Sequence, residues 1–214
     1  EWLIGGVEAK GFAYPLLFFG LACLIDGRWQ LAWPLLGLAS SFHVLVGGWA
    51  VIACLIAWFW LREQEDCTWR EMLPWLIAGG LLALPGLLPA LQLSADATRE
   101  QIQEANITYT FRRLSHHLVP YRFAQWNPFA AGFTVLRPLS FGLACFVWWK
   151  LSGTVRGPRF NRLKCVVQAS LLIACSGIFI DLFTSPFDYF RIPPFQHLRA
   201  AIMRYYWFRM SDVM

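Results

Sequence analysis

The side chains able to do chemistry together are Glu8, Lys10 and His43 near the start of the chain and Arg112, Arg113, His116, His117 and Arg122 in its middle. Arg and Lys neutralise phosphate, and Arg does so with two parallel hydrogen bonds. A carboxylate such as Glu8 can orient a hydroxyl, hold a cation or take a proton. Its plainer reading is an interfacial ion pair with Lys10 or a nearby Arg. The imidazole of His43 can hydrogen-bond a phosphate or satisfy backbone groups where a helix ends. Loop arginines, for their part, are commonly just solvated. Adjacent His116 and His117 point apart on a helix, unlike an i, i+4 metal pair, and no two cysteines have CxxC spacing, so no metal site is assigned.

These residues sit at the ends of long apolar runs. Hydrophobic residues make up 57% of the chain and charged ones 14%, a balance that excludes an ordinary soluble domain and points to a membrane protein. The net charge of +5 is spread over separate loops, so it is not a nucleic-acid footprint. Apolar periodicity predicts an all-α bundle with helices at about 7–25, 29–41, 44–61, 73–93, 129–149 and 165–183. Trp29 to Leu61 as one helix would be roughly 50 Å long, against a hydrocarbon core of about 30 Å. Pro34, the cluster Ser40-Ser41-Phe42-His43 and Gly47-Gly48 divide it into two short helices beside a polar cleft. Arg62 to Glu71 reads as a charged loop, Pro74, Pro85 and Pro89 as kinks in the following helix, and Ser94 as the N-cap of a helix over 95–105.

Orientation comes from Lys150 to Lys164, whose five basic residues and no acids place this loop in the cytoplasm. The loop 94–127 and the tail 184–214 then face outward, together with the Ser40 to His43 break and the first residues. The chain is thus expected to be one membrane-embedded fragment, 1–214, of a longer protein, crossing about six times. Its polar groups, including Asp188, Arg191, His197 and Arg199, gather at the outer surface. The six cysteines fall in membrane segments or cytoplasmic loops, where thiols stay reduced, so all six are expected to be free.

The strings Gly6-Val7-Glu8-Ala9-Lys10-Gly11-Phe12-Ala13-Tyr14, Gly37-Leu38-Ala39 with Phe42-His43-Val44-Leu45-Val46-Gly47-Gly48-Trp49, and Arg113-Leu114-Ser115-His116-His117-Leu118-Val119-Pro120 resemble a family of uncharacterised bacterial multi-pass membrane proteins. Those proteins are similar in layout to GT-C glycosyltransferases, which move a sugar from a polyprenyl-phosphate carrier on the outer face of the membrane. The resemblance implies a multi-pass protein of the bacterial inner membrane with an outward cavity. Its partners would be membrane lipid and a polyprenyl-phosphate-linked sugar. Arg112, Arg113, His116, His117 and Arg122 would contact the phosphate, and Lys10 and His43 would line the cleft. Glu8 is the candidate carboxylate, although the principal one in such enzymes lies in an outer loop upstream of Glu1. No cofactor is named with certainty, and room is left for a divalent cation. Two alternatives use the same features: a transporter or flippase of lipids or lipid-linked sugars, and a non-catalytic membrane scaffold subunit.

Overall fold

The computed structural model of the chain describes residues 9–92, 95–114, 118, 131–189, 193–205 and 207, with side chains described except at 131–141, 185–189 and 193–194. Among the described residues every regular element is helical. The chain divides into two compact units, Glu1–Asp96 with Gly157–Ile173 and Arg209–Met214, and Ala97–Arg156 with Ala174–Phe208.

The first unit is built on α1 (Ala9–Ile25), α2 (Trp29–Phe42), α3 (Val44–Leu61) and α4 (Trp69–Gln92). A Schellman turn ends α1: Arg28 N–H donates to the Cys23 carbonyl at 2.8 Å, and Gly27 N–H donates to that of Leu24 at 2.9 Å. The turn needs a left-handed residue, and Gly27 supplies it with φ of 81°. The chain then reverses into α2, so that Phe12 near the start of α1 stacks on Phe42 at the end of α2, with ring centroids 5.3 Å apart. At 14 residues α2 is only about 21 Å long, yet it is the centre of the unit, with Trp29, Ala32, Trp33 and Leu36 fully or almost fully buried. It ends at His43, whose extended backbone (φ −148°, ψ 95°) breaks the helix while its Nδ1 accepts from Val46 N–H at 3.4 Å and caps α3. Helix α3 folds back along α2, because Trp29 Nε1 at the start of α2 donates to Glu65 just beyond the end of α3.

Helix α4 runs parallel to α2 at very short range. A methyl group on Gly79 would meet the Trp33 carbonyl oxygen at 2.5 Å, and one on Gly86 would meet the Ser40 and Ser41 carbonyls at 2.6 Å. These glycines let the backbones approach as side chains would not. The helix begins earlier than the expected loop to Glu71 allows. Glu71 Oε2 accepts from Thr68 N–H at 2.8 Å, and Thr68 Oγ1 accepts from Glu71 N–H at 3.4 Å, a reciprocal capping box that starts the helix at Trp69.

The connection expected over 150–164 is shorter in the structure. Helix α6 (Ala131–Ser152) runs past Lys150, and α7 (Pro158–Tyr189) opens with a proline at its first position, where the missing N–H costs nothing. Arg159, Arg162 and Lys164 are therefore helical residues, and only 153–157 link the two helices. The start of α7 joins the first unit through Val166, which belongs to the apolar core of α1, α2 and α3.

In the second unit, α5 (Arg99–Ile107) starts at Thr98 rather than Ser94. Thr98 Oγ1 accepts from Gln101 N–H at 3.3 Å while Gln101 Oε1 accepts from Thr98 N–H at 2.9 Å. The helix continues as one π-helical turn, Thr108–Arg113, and α8 (Pro193–Met203) packs against both. This helix lies within the stretch 184–214 that the sequence reads as an outward-facing tail.

Among the described residues, α3, α4 and the Pro158–Thr184 stretch of α7 are long and apolar enough to cross a membrane. Helix α1 is apolar but shorter, at 17 residues. Phe19, Ile77, Leu81, Leu91, Phe179 and Phe183 are exposed over these helices, a surface that lipid solvates and water does not. These features point to an all-α membrane protein.

Candidate functional site

The basic segment of the second unit is set by two buried residues. Within the π-helical turn, Thr110 and Phe111 point inward and are 0% and 4% exposed. Arg112 and Arg113, which follow directly, are exposed. Thr110 Oγ1 donates to the Ala200 carbonyl of α8 at 3.1 Å, and Phe111 carries the Arg199 guanidinium over its ring at 5.1 Å from the centroid. The π turn closes with Leu114 N–H donating to the Tyr109 carbonyl at 3.0 Å. Arg112 lies 3.8 Å from Glu104, and both side chains are well solvated, so this pair contributes little to stability. The two arginines also occupy the C-terminal end of the continuous α5 and π segment, where the backbone dipole favours cations. At the other end, Glu100 is held below the usual carboxylate range by its own backbone N–H and then by the Thr98 hydroxyl. One short helical element thus presents acid at its beginning and base at its end.

Behind this turn lies an ion pair that sequence reading missed. Asp181 of α7 and Arg199 of α8 are 0% and 1% exposed, and one carboxylate oxygen accepts from both Nε at 3.2 Å and a terminal nitrogen at 2.6 Å. Asp181 lies inside the Pro158–Thr184 stretch, where an ionised group is costly unless paired. Arg199, which the sequence places at or near the outer membrane surface, is buried within the second unit, with Asp181 and the Phe111 ring against its guanidinium. A carboxylate within an otherwise apolar run was the available signal, and its partner, 18 residues away on another helix, was not visible in any local pattern. Arg204 adds a further tie, donating to Asn106 Oδ1 at 2.8 Å.

The first unit has polar groups at both ends. At the end holding the α1–α2 turn, Glu65 is satisfied on both oxygens, by Arg162 Nε at 2.7 Å and Trp29 Nε1 at 2.8 Å. Arg162 also donates to the Ile25 carbonyl at 3.1 Å, so one guanidinium ties the α1–α2 turn, the α3–α4 loop and the start of α7. Arg159 pairs with Asp26 at 3.0 Å in a more exposed position. Two of the basic residues that set the expected orientation are therefore matched by acids from other loops. In the same loop, burial first, then Glu71 and Glu65, push the Cys67 thiol up.

At the opposite end of this unit lie Lys10 and His43, brought to one end by the Phe12–Phe42 stack. The ring of His43 caps α3 through Nδ1. Arg112 and Arg113 belong to the second unit. Glu8, His116, His117 and Arg122, with the backbone of Arg191, lie outside the described residues, as does the Asp188 side chain. All six cysteines are free thiols. Among the described residues, no group of three or more His, Cys, Asp and Glu side chains is arranged to hold a metal ion. No protein-family model, curated protein or solved structure matches the chain.

Proposed function

We propose that the chain is the membrane core of a GT-C-like glycosyltransferase in the bacterial inner membrane, crossing it about six times and moving a sugar from a polyprenyl-phosphate carrier to an extracytoplasmic acceptor. The observation that carries this reading is the exposed Arg112–Arg113 pair, presented by a turn whose preceding two residues are buried, in a protein with membrane-length helices. Two guanidinium groups on a fixed turn suit a phosphate, which accepts parallel hydrogen bonds from each. The five basic residues of Lys150 to Lys164, read by the positive-inside rule, support a cytoplasmic 153–157 link and an outer position for this turn.

In the reaction, a carboxylate takes the proton of the acceptor hydroxyl as its oxygen forms a bond to the anomeric carbon. The bond from that carbon to the carrier phosphate breaks, and the electron pair leaves with the phosphate oxygen. Arg112, Arg113, His116, His117 and Arg122 stabilise the charge that develops there, the largest electrostatic need of the step. Glu8 is the carboxylate candidate in this chain, and Lys10 and His43 are the further substrate-binding candidates that the sequence offers. A lipid flippase would use the same phosphate site with no bond broken, and a scaffold subunit would need no phosphate site at all.

The test uses the full chain in lipid nanodiscs with and without a polyprenyl phosphate. Preferential binding that falls at least tenfold in the Arg112→Gln, Arg113→Gln double variant is expected, because both guanidinium groups that would hydrogen-bond the phosphate are removed. Binding equal in wild type and double variant removes the phosphate site and the transferase with it. Release of free sugar from a lipid-linked donor separates the transferase from the flippase.

A further inference from the structure

Two contacts reach the turn that carries Arg112 and Arg113, and two more brace the residues that make them. Asp181 fixes the Arg199 guanidinium with two hydrogen bonds to one oxygen. The same guanidinium lies 5.1 Å from the centre of the Phe111 ring. Thr110, the residue before Phe111, donates to the carbonyl of Ala200, the residue after Arg199. Asn106, one turn earlier, accepts from Arg204, one turn later. The C-terminal half of α8 and the residue just beyond it are therefore fastened to the α5 and π segment, with Asp181 tying Arg199 to α7.

A π turn inserts one residue relative to an α-helix and rotates the side chains that follow it, at some cost in backbone geometry. Something must hold that rotation, and here the holders are buried. Phe111 is 4% exposed, Thr110 and Asp181 are 0% exposed, and Arg199 is 1% exposed. Arg112 and Arg113 continue the same backbone on the exposed side, so the direction in which they leave the turn follows from where the Phe111 ring is pinned. A planar guanidinium suits this task. It can hydrogen-bond a carboxylate in its plane and offer its face to a ring, which a lysine ammonium cannot do with the same geometry.

We propose that Arg199, held by Asp181, is a positioning residue for a phosphate bound by Arg112 and Arg113, acting through the Phe111 ring. This rests on the phosphate-binding reading above and adds the device that orients it. Arg199 does not touch the phosphate. Its charge is matched by Asp181, and its face registers the turn. The shared chemistry is a phosphate monoanion or dianion, carried either by a lipid headgroup or free in solution.

The experiment compares full-length wild type, Arg199→Lys, Phe111→Leu and the Arg112→Gln, Arg113→Gln double variant in nanodiscs. Affinity for a polyprenyl phosphate and the melting temperature are both measured, with binding assayed well below the lowest melting point. Arg199→Lys keeps the charge opposite Asp181, and Phe111→Leu keeps the ion pair and most of the buried apolar surface. Each is expected to lower affinity about fivefold, the scale of one misaligned charge-assisted hydrogen bond. A purely structural role would lower the melting point while leaving affinity unchanged in the folded protein. Unchanged affinity in both single variants, with binding abolished in the double variant, overturns the positioning role and leaves the phosphate site standing. Undiminished binding in the double variant overturns both. Displacement by inorganic phosphate at concentrations comparable to the lipid supports the same positioning with free phosphate as the source, and its absence supports the lipid headgroup.

Discussion

Removing the Glu65 carboxylate measures how the first unit is held together at its charged end. Glu65 is 6% exposed, and its two oxygens satisfy different donors, Arg162 Nε and the indole N–H of fully buried Trp29. Glu65→Ala strands both. The indole is deprived of its acceptor at 2.8 Å and is left in an apolar core, which costs about 1–3 kcal/mol. Arg162, 16% exposed, keeps the Ile25 carbonyl but loses its counter-charge, and breaking a buried pair costs roughly 3–5 kcal/mol. Residual solvent reaches Arg162 and the two costs overlap, so the total expected is about 4 kcal/mol. Glu65→Gln keeps a carbonyl acceptor for the indole and a polar neighbour for Arg162, and should cost about half as much. Thermal unfolding of the detergent-solubilised protein, followed by far-ultraviolet circular dichroism, should place the Ala variant roughly 10 °C below wild type and the Gln variant between them. A melting point for Glu65→Ala within a degree of wild type, or equal losses for Ala and Gln, would refute the assignment of this loop to a three-way tie.

Bulk at the α2–α4 contact should be punished by position. Gly79→Leu is expected to cost about 1–3 kcal/mol or more because its side chain would start against the Trp33 carbonyl, whereas neighbouring Gly80→Ala, facing open space, should be nearly neutral; melting points of the two variants decide it. For α5, Thr98→Ala should cost about 1 kcal/mol through loss of the cap, read as faster amide exchange over Arg99–Ile107. The protection of the same amides, measured against the intrinsic exchange rate at each pH, should fall as pH drops through the lowered Glu100 pKa, since a carboxylate depressed in the folded state contributes stability above its unfolded pKa and loses it on protonation. Protection factors that do not change with acid in this range would contradict the Glu100 assignment.

What the sequence made legible was the apolar framework. The break at Ser40 to His43 was readable because a polar cluster and a glycine pair interrupt a run too long for one crossing, and the chain does part there into α2 and α3. Gly27, in the polar Asp26-Gly27-Arg28 that follows the first apolar run, takes the left-handed position that the turn requires, because glycine adopts it most easily. Helix starts were less readable. Thr68-Trp69-Arg70-Glu71 and Thr98-Arg99-Glu100-Gln101 both carry the capping-box pattern, which was present in the sequence but outweighed by the surrounding charge. The ion pairs were illegible for a different reason. Glu65 with Arg162, and Asp181 with Arg199, depend on which helices pack together, and no local periodicity encodes a partner 97 residues away. Arg112 and Arg113 were identified by residue type alone, while the π turn and the buried Phe111 that orient them required the fold.

The most direct test of the central claim is the sidedness of the loops. Single cysteines at Phe42, Glu63, Ala105 and Val155, in a background lacking the six native cysteines, would be exposed to a membrane-impermeant thiol reagent in intact cells. These positions are exposed in the structure, so access depends on membrane side rather than on burial. Phe42 and Ala105 should label from outside, and Glu63 and Val155 only after the membrane is opened. Labelling of Val155 from outside, or of Ala105 only from inside, would place the Arg112–Arg113 turn in the cytoplasm and contradict transfer from a carrier on the outer face.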